Sequence, residues 1–280
     1  MPFLCHDHCG VVYHTSSVLE HGGIFHGFST RLGGVSQGAC AFLNFRSGGP
    51  EPDDREKVRE NYRRFCAALD TDTTGLVLSK QVHQDTVRHV TSSDRGKGFF
   101  LPTDYTADAL VTNEPSLSLM VFSADCILLL LHDPATQSVG AVHAGWRGTA
   151  LDLPAKTVRE MGRLFGARPQ NIRVAIGTGI GPCCFETHDD VPDAMRTAFG
   201  GGADACISPL ADHPGKWSVD LKALNAWRLR EAGVPAEQID ICPLCTACHP
   251  ELYWSHRKTG DHRGVQGAMI GLHTREVERA

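Results

Sequence analysis

The sequence predicts an α/β protein whose sheets are covered on both faces, and two patterns carry that expectation. Apolar residues recur at helical spacing in four stretches, and between these stretches lie short runs that are apolar at nearly every position. A strand that is apolar on both alternating faces needs a helix or a second sheet on each side, so the layers amount to an α/β sandwich.

Taken in order, the first helix runs roughly from Asp54 to Leu69, with Val58, Tyr62, Phe65 and Leu69 at helical spacing and acidic residues at its start, where the macrodipole favours them. Its basic residues from Arg55 to Arg64 are interleaved with Glu56 and Glu60, as on a solvated helix face. Leu119 to Phe122, Ile127 to Leu131, Val139 to Val142 and Ile172 to Ile176 read as buried strands. A second helix follows Asp152, with Pro154 in its first turn, Val158, Met161 and Phe165 on one face and Gly166 to stop it. A third lies near Asp189 to Phe199, and a fourth begins at Asp220, carries Leu221, Leu224 and Trp227, and ends at Gly233.

The 280 residues, 41% apolar and 21% charged, fit one large domain spanning 1–280. A chain of this length buries a core without metals or disulfides, so a metal here calls for a functional reason first. The net charge of −5 and the lack of a basic stripe argue against a nucleic-acid partner. Eleven cysteines is an odd number, and the first thirty residues lack a secretory pattern, so a reducing, cytoplasmic location is expected. The apolar stretch from Leu119 to Leu131 is interrupted by Ser123, Asp125 and Cys126 and is too short to span a bilayer, so no membrane association is expected.

Chemistry concentrates where the strands stop. Cys126 sits between two strand-like runs, His143 ends a third, and His83 follows the apolar stretch Leu76 to Leu78. Two imidazoles and a thiolate make a zinc set with its fourth position open to water or substrate. On spacing alone these residues are equally readable as a small buried cysteine and hydrogen-bonded core histidines. Two other groups compete, Cys242, Cys245, Cys248 and His249 near the C-terminus and Cys5, His6, His8 and Cys9 near the N-terminus. Neither has a clear second half: the first reads as a loop packed near the active site, with a structural zinc on Cys245, Cys248 and His249 as the alternative, and the second as a surface histidine group in a fraying end. Arg31, with Gly33 and Gly34 behind it, combines a fixed positive charge with backbone amides an anion can approach, which suits phosphate; a tight turn with a solvated arginine is the alternative. Arg147, one short loop from His143, is a second anion candidate.

Ordered segments run along nearly the whole chain: Phe28-Ser29-Thr30-Arg31-Leu32-Gly33-Gly34-Val35-Ser36, Leu43-Asn44-Phe45, Gln81-Val82-His83, Ala107-Asp108-Ala109-Leu110-Val111-Thr112 and Ala124-Asp125-Cys126. They continue with His143-Ala144-Gly145-Trp146-Arg147-Gly148-Thr149, Ile180-Gly181-Pro182-Cys183-Cys184-Phe185-Glu186, Asp220-Leu221, Cys245-Thr246 and Ser255-His256-Arg257. In these the sequence resembles the bacterial family first labelled multicopper polyphenol oxidase or laccase and later assigned as purine nucleoside phosphorylase with adenosine deaminase activity. The resemblance implies a layered α-β-β-α sandwich with mixed sheets, and zinc held by His83, Cys126 and His143, with copper as an in vitro substitute. It implies purine nucleosides and inorganic phosphate as partners, with adenosine and inosine first and guanosine and methylthioadenosine as further candidates, in a monomer or homodimer. Gln84 stands where the family usually has glycine, Ile127 replaces a more usual polar or small residue, Thr178 interrupts the common Gly-Pro pattern and His256 replaces the usual tyrosine; none removes a ligand.

Under that resemblance, phosphate held by Arg31 attacks the ribose anomeric carbon as the purine leaves, and zinc-activated water deaminates adenosine in the same pocket. Two rivals remain. A multicopper oxidase needs repeated histidine pairs, whereas His6-Asp7-His8 is the only His-x-His segment. A cysteine hydrolase would use Cys126 as nucleophile with His143 or His83 as base.

Overall fold

Strands apolar on both faces find a different partner on each. The computed structural model describes residues 3–20 and 23–273. One six-stranded sheet has the order Phe3–His8, Val11–Ser16, Ile24–Ser29, Gln266–Leu272, Ser118–Ser123, Leu76–Val77. The other has the order Ile239–Ile241, Arg173–Ile176, Ile127–Asp133, Ser138–Ala144, Ala109–Thr112, Val87–His89. Both mix parallel and antiparallel pairs: Leu76–Val77 runs parallel to its neighbour while Gln266–Leu272 is antiparallel to both of its own. A small three-stranded sheet, Glu186–Thr187, Trp217–Val219 and Ile207–Pro209, stands apart.

The two large sheets share a core. Leu128 and Leu130 of one sheet pack in the same apolar cluster as Leu119, Val121, Ala268 and Ile270 of the other. The alternate residues Ile127, Leu129 and Leu131 face outward against Val158 and Met161 of helix Leu153–Phe165 and Leu224 of helix Leu221–Glu231. On the opposite outer face, Met120 and Met269 meet Tyr62 and Phe65 of helix Arg55–Ala68. The period-two alternation thus sends one set of side chains between the sheets and the other under helices, giving α-β-β-α layers.

The helices begin and end for local reasons. Asp54 accepts hydrogen bonds from the amides of Glu56 and Lys57 and so caps the first helix, whose outer face carries the Arg59–Glu56 and Arg64–Glu60 ion pairs. Gly166 closes helix Leu153–Phe165 with φ of 74°, a left-handed conformation that glycine adopts without strain. Helices Asp190–Phe199 and Leu221–Glu231 lie where the sequence places the third and fourth.

Three elements are not evident in the apolar pattern. Strand Gln266–Leu272 lies in the middle of its sheet and is wholly buried, yet glycines interrupt it; a Cβ at Gly267 would lie 2.2 Å from Met120 Cε, so packing demands the missing side chain. Strand Ile24–Ser29 pairs with it. The N-terminal residues, expected to fray, form a hairpin, in which Cys5, His6 and His8 lie on the strand and Cys9 in the turn. His6 is fixed there by Thr15 Oγ1 at 2.8 Å and by stacking on Tyr13.

No helix among the described residues is long and apolar enough to cross a membrane. Phe28 is fully buried between the sheets, and Phe28→Ala should lower unfolding free energy by about 3–5 kcal/mol, read from denaturant midpoints; a loss below about 1 kcal/mol would place the ring outside the shared core.

Candidate metal centre

A single carboxylate organises the functional loops. Asp108 is fully buried immediately before strand Ala109–Thr112, where its carboxylate accepts hydrogen bonds from three successive backbone amides, Val82 at 3.1 Å, His83 at 3.0 Å and Gln84 at 2.9 Å. It also meets His143 Nδ1 at 2.9 Å. Burial would raise this carboxyl's pKa, but the imidazole and the amides outweigh it and hold the group below its ordinary value. The amides bend the Gln81-Val82-His83 segment into a turn in which His83 has φ of 59°. The bond to Nδ1 makes Nε2 the nitrogen of His143 that a metal could take.

Cys126 completes the group. It lies in the turn between strands Ser118–Ser123 and Ile127–Asp133, where Ser123 Oγ donates to the Cys126 carbonyl at 2.7 Å. Asp125 beside it has φ of 97°, and its carboxylate accepts from Thr246 Oγ1 and from the Arg257 amide, each at 2.6 Å. Those contacts occupy Asp125 as a brace for the turn. Cys126 Sγ is 3.8 Å from His83 Nε2, and the His83 and His143 rings meet edge to face at 4.8 Å. Donor atoms of His83, Cys126 and His143 all lie within 4.8 Å of one another. Gly145 permits the approach, because a Cβ there would stand 2.9 Å from Cys126 Sγ and 3.1 Å from His83 Cδ2.

The electrostatics are those of a thiolate–imidazolium pair. Burial alone would raise the Cys126 thiol, but the charge of His143, then its hydrogen bond, and then His83 bring it down to about 6. Burial would lower His143, and Cys126 and Asp108 together push it up to about 9.

The three side chains open onto a cavity of about 450 Å³ that is also lined by Arg46, Arg263, Phe45 and Phe122. Gln81 clamps Phe122 through both ends of its amide, donating to the Phe122 carbonyl and accepting from its N–H, each at 2.8 Å. Arg46 donates to the Arg263 carbonyl at 3.3 Å, and Arg263 to the Gly264 carbonyl at 3.1 Å; neither has a carboxylate partner among the described residues. Burial, and then repulsion from Arg46, lowers the Arg263 pKa. A second cavity of about 340 Å³ reaches His83 and Cys126 past Trp146, Phe185 and Arg257.

The structure does not bring Arg31 to this group. Its guanidinium donates to the carbonyls of Pro250 at 2.8 Å and Ala41 at 2.6 Å and lies 3.9 Å from the Trp254 ring centroid, which makes it a strut between loops. Gly33 and Gly34 serve the same packing, since Cβ atoms there would each lie 2.2 Å from a backbone carbonyl oxygen, that of Gly10 and that of Phe42. Arg147 is exposed and stacks on Trp146 at 4.1 Å, lining neither cavity. Sequence reading assigns Asp108 no role beyond its place in the Ala107–Thr112 segment, where it is a lone acid at the start of an apolar run, and nothing in the sequence singles out Arg46 or Arg263.

One consequence is directly measurable. After chelator treatment, alkylation of Cys126 by iodoacetamide should be half-maximal near pH 6, because a depressed thiol is ionised above its lowered pKa. A midpoint at the ordinary thiol value of about 8.5 would refute the thiolate–imidazolium pair.

Known proteins resemble the chain throughout. The family model described as multi-copper polyphenol oxidoreductase laccase matches residues 25–273. A Bacillus subtilis protein named purine nucleoside phosphorylase YlmD is 34% identical over 248 residues, 88% of this chain and 87% of that one. A Deinococcus radiodurans protein named purine nucleoside phosphorylase is 36% identical over 252 residues, 90% of each chain. The crystal structure of YlmD from Geobacillus stearothermophilus superposes with a TM-score of 0.86 at 33% identity, covering 98% of this chain and all of that one. The hypothetical protein YfiH from Bacillus licheniformis gives 0.87 at 33% identity, covering 97% of this chain and 99% of that one. With the family model matched over residues 25–273 and both solved structures superposing over nearly the whole chain, the chain belongs to the family described as multi-copper polyphenol oxidoreductase laccase.

Proposed function

We propose that the chain, as one domain, is a zinc-dependent purine nucleoside phosphorylase that also deaminates adenosine, with the metal on His83, Cys126 and His143. The observation that carries this reading is the convergence of two imidazoles, one thiolate and two arginines without carboxylate partners on one cavity of about 450 Å³. The names of the relatives supply the substrate class.

The donor set fits a metal. Two nitrogens and a sulfur lie within reach of one centre, and the Asp108 contact fixes which nitrogen of His143 is offered. Zinc bound there would supply Lewis acidity beside the substrate and a water of lowered pKa for deamination.

The remaining steps belong to the chain itself. Phe122, held by Gln81, and Phe45 provide flat apolar surface on which a purine can lie. Arg46 and Arg263 would hold the phosphate dianion against the ribose, so that a phosphate oxygen bonds to the anomeric carbon as its bond to the purine nitrogen breaks. This reading moves the anion role expected of Arg31 to the pair that lines the cavity, since Arg31 lies outside that lining and bonds to the carbonyls of Pro250 and Ala41.

The cysteine-hydrolase reading has one observation in its favour, the depressed Cys126 thiol. The metal separates the two: removing zinc abolishes phosphorolysis but exposes the nucleophile of a hydrolase.

Two sets of variants test the proposal. Asp108→Asn should weaken zinc binding about 10- to 100-fold in competition with a chromophoric chelator while the circular dichroism spectrum is kept; unchanged affinity would dismiss Asp108 as the organiser. Arg46→Ala or Arg263→Ala should raise the KM for phosphate in inosine cleavage by about 10- to 100-fold, move the nucleoside KM little, and leave phosphate-independent formation of inosine from adenosine largely intact. If Arg31→Ala raises the phosphate KM and these two do not, the anion site is misplaced.

A further inference from the structure

Four of the eleven cysteines meet outside the catalytic cavity's ligand set. Cys183 and Cys184 follow Ile180-Gly181-Pro182 in the loop after strand Arg173–Ile176, and Cys245 and Cys248 lie in the loop after the neighbouring parallel strand Ile239–Ile241. The Cys-x-x-Cys pair that has no second half in the linear sequence finds it in the adjacent Cys-Cys pair earlier in the chain, Cys183 standing 65 residues before Cys248. Sγ of Cys248 is 3.5 Å from Cys183 Sγ and 3.4 Å from Cys184 Sγ, and all four sulfurs lie within 4.8 Å of one another.

We propose that Cys183, Cys184, Cys245 and Cys248 form a second, closed metal site, a tetrathiolate that takes zinc or another thiophilic divalent cation. Four sulfurs placed tetrahedrally about 2.3 Å from a common cation stand about 3.8 Å apart; the two contacts of Cys248, 3.4 and 3.5 Å, lie a little inside that value, and all four sulfurs are within 4.8 Å of one another. The surroundings are arranged for negative sulfur. The Gly181 N–H donates to Cys245 Sγ at 3.1 Å. The buried Lys222 ammonium reaches two carbonyls of the same loop, Cys242 at 2.8 Å and Leu244 at 2.6 Å, and has no carboxylate partner among the described residues. A buried cation of this kind calls for a nearby anion, and an assembled tetrathiolate would provide it.

The site would pin two loops that support the catalytic turn. Ile180 N–H donates to the Asp125 carbonyl at 2.8 Å, and Thr246 Oγ1 to its carboxylate at 2.6 Å, so both loops of the cluster end on the neighbour of Cys126. The role is structural, and the site stands whether or not the chain cleaves nucleosides.

Elemental analysis of the full chain, purified under reductant from zinc-containing medium, tests it. The native protein should hold about two equivalents of zinc; His143→Ala should keep the one at the thiolates, Cys248→Ser the one at the histidines, and the double variant neither. Cobalt in place of zinc in His143→Ala should show strong sulfur-to-cobalt charge transfer, a reading that needs no cysteine variant to fold. A metal-free His143→Ala, a Cys248→Ser protein with native zinc content, or a disulfide among the four cysteines in place of the second equivalent would each overturn the proposal. Failure of the histidine site alone would leave zinc in His143→Ala unchanged from native, so the two assignments fail separately.

Discussion

Four hydrogen bonds converge on the carboxylate of Asp108, and the geometry of the site follows from them. Three come from the successive amides of Val82, His83 and Gln84, and one from His143. A hydrogen bond to a charged group contributes roughly 1.5–3 kcal/mol, enough to hold His83 in a left-handed turn that a β-branched or bulky side chain resists. Because Asp108 stands just before a strand paired on both sides, the site takes its rigidity from the sheet. Asp125 performs the matching task on the other side, joining Thr246 and Arg257 to the turn that carries Cys126. Two carboxylates, one bonded to His143 and the other bracing the turn beside Cys126, thus determine where His83, Cys126 and His143 meet.

The α-β-β-α layering makes this arrangement available. Side chains that alternate between helices and the facing sheet leave the strand ends as the places where polar groups can gather without disturbing the core. Ser118–Ser123, Ile127–Asp133 and Ser138–Ala144 all end or begin at the site, which is why Cys126 and His143 adjoin although neither lies near the other in the chain. Arginines enter from the outer loops, Arg46 after Leu43-Asn44-Phe45 and Arg263 just before the buried strand Gln266–Leu272.

Much of this was legible in the residues. The four helices announced themselves by spacing and by caps such as Asp54 and Gly166, and the two-faced strands announced the layers. Strand Gln266–Leu272 was not legible, because Gly267 and Gly271 are there to admit Met120 and Phe25, a demand made by tertiary packing. His83, Cys126 and His143 stood out through a resemblance and at strand ends, and the structure brings them together; Thr30-Arg31-Leu32-Gly33-Gly34 has the composition of an anion loop, yet the guanidinium of Arg31 meets backbone carbonyls ten residues away and far along the chain, outside that group. Charge and glycine together describe a strut as well as a phosphate site, and only the positions of Pro250 and Ala41 distinguish them. The cysteine pairs show the same limit, since neither Cys183-Cys184 nor Cys245-x-x-Cys248 names the other.

The most direct test of the catalytic reading is anomalous diffraction at the zinc absorption edge from crystals grown with zinc and phosphate. The account predicts a peak in contact with His83 Nε2, Cys126 Sγ and His143 Nε2, with phosphate density between that peak and the guanidinium groups of Arg46 and Arg263. Crystals that show no anomalous density among those three side chains, from a preparation that still cleaves inosine, would contradict it.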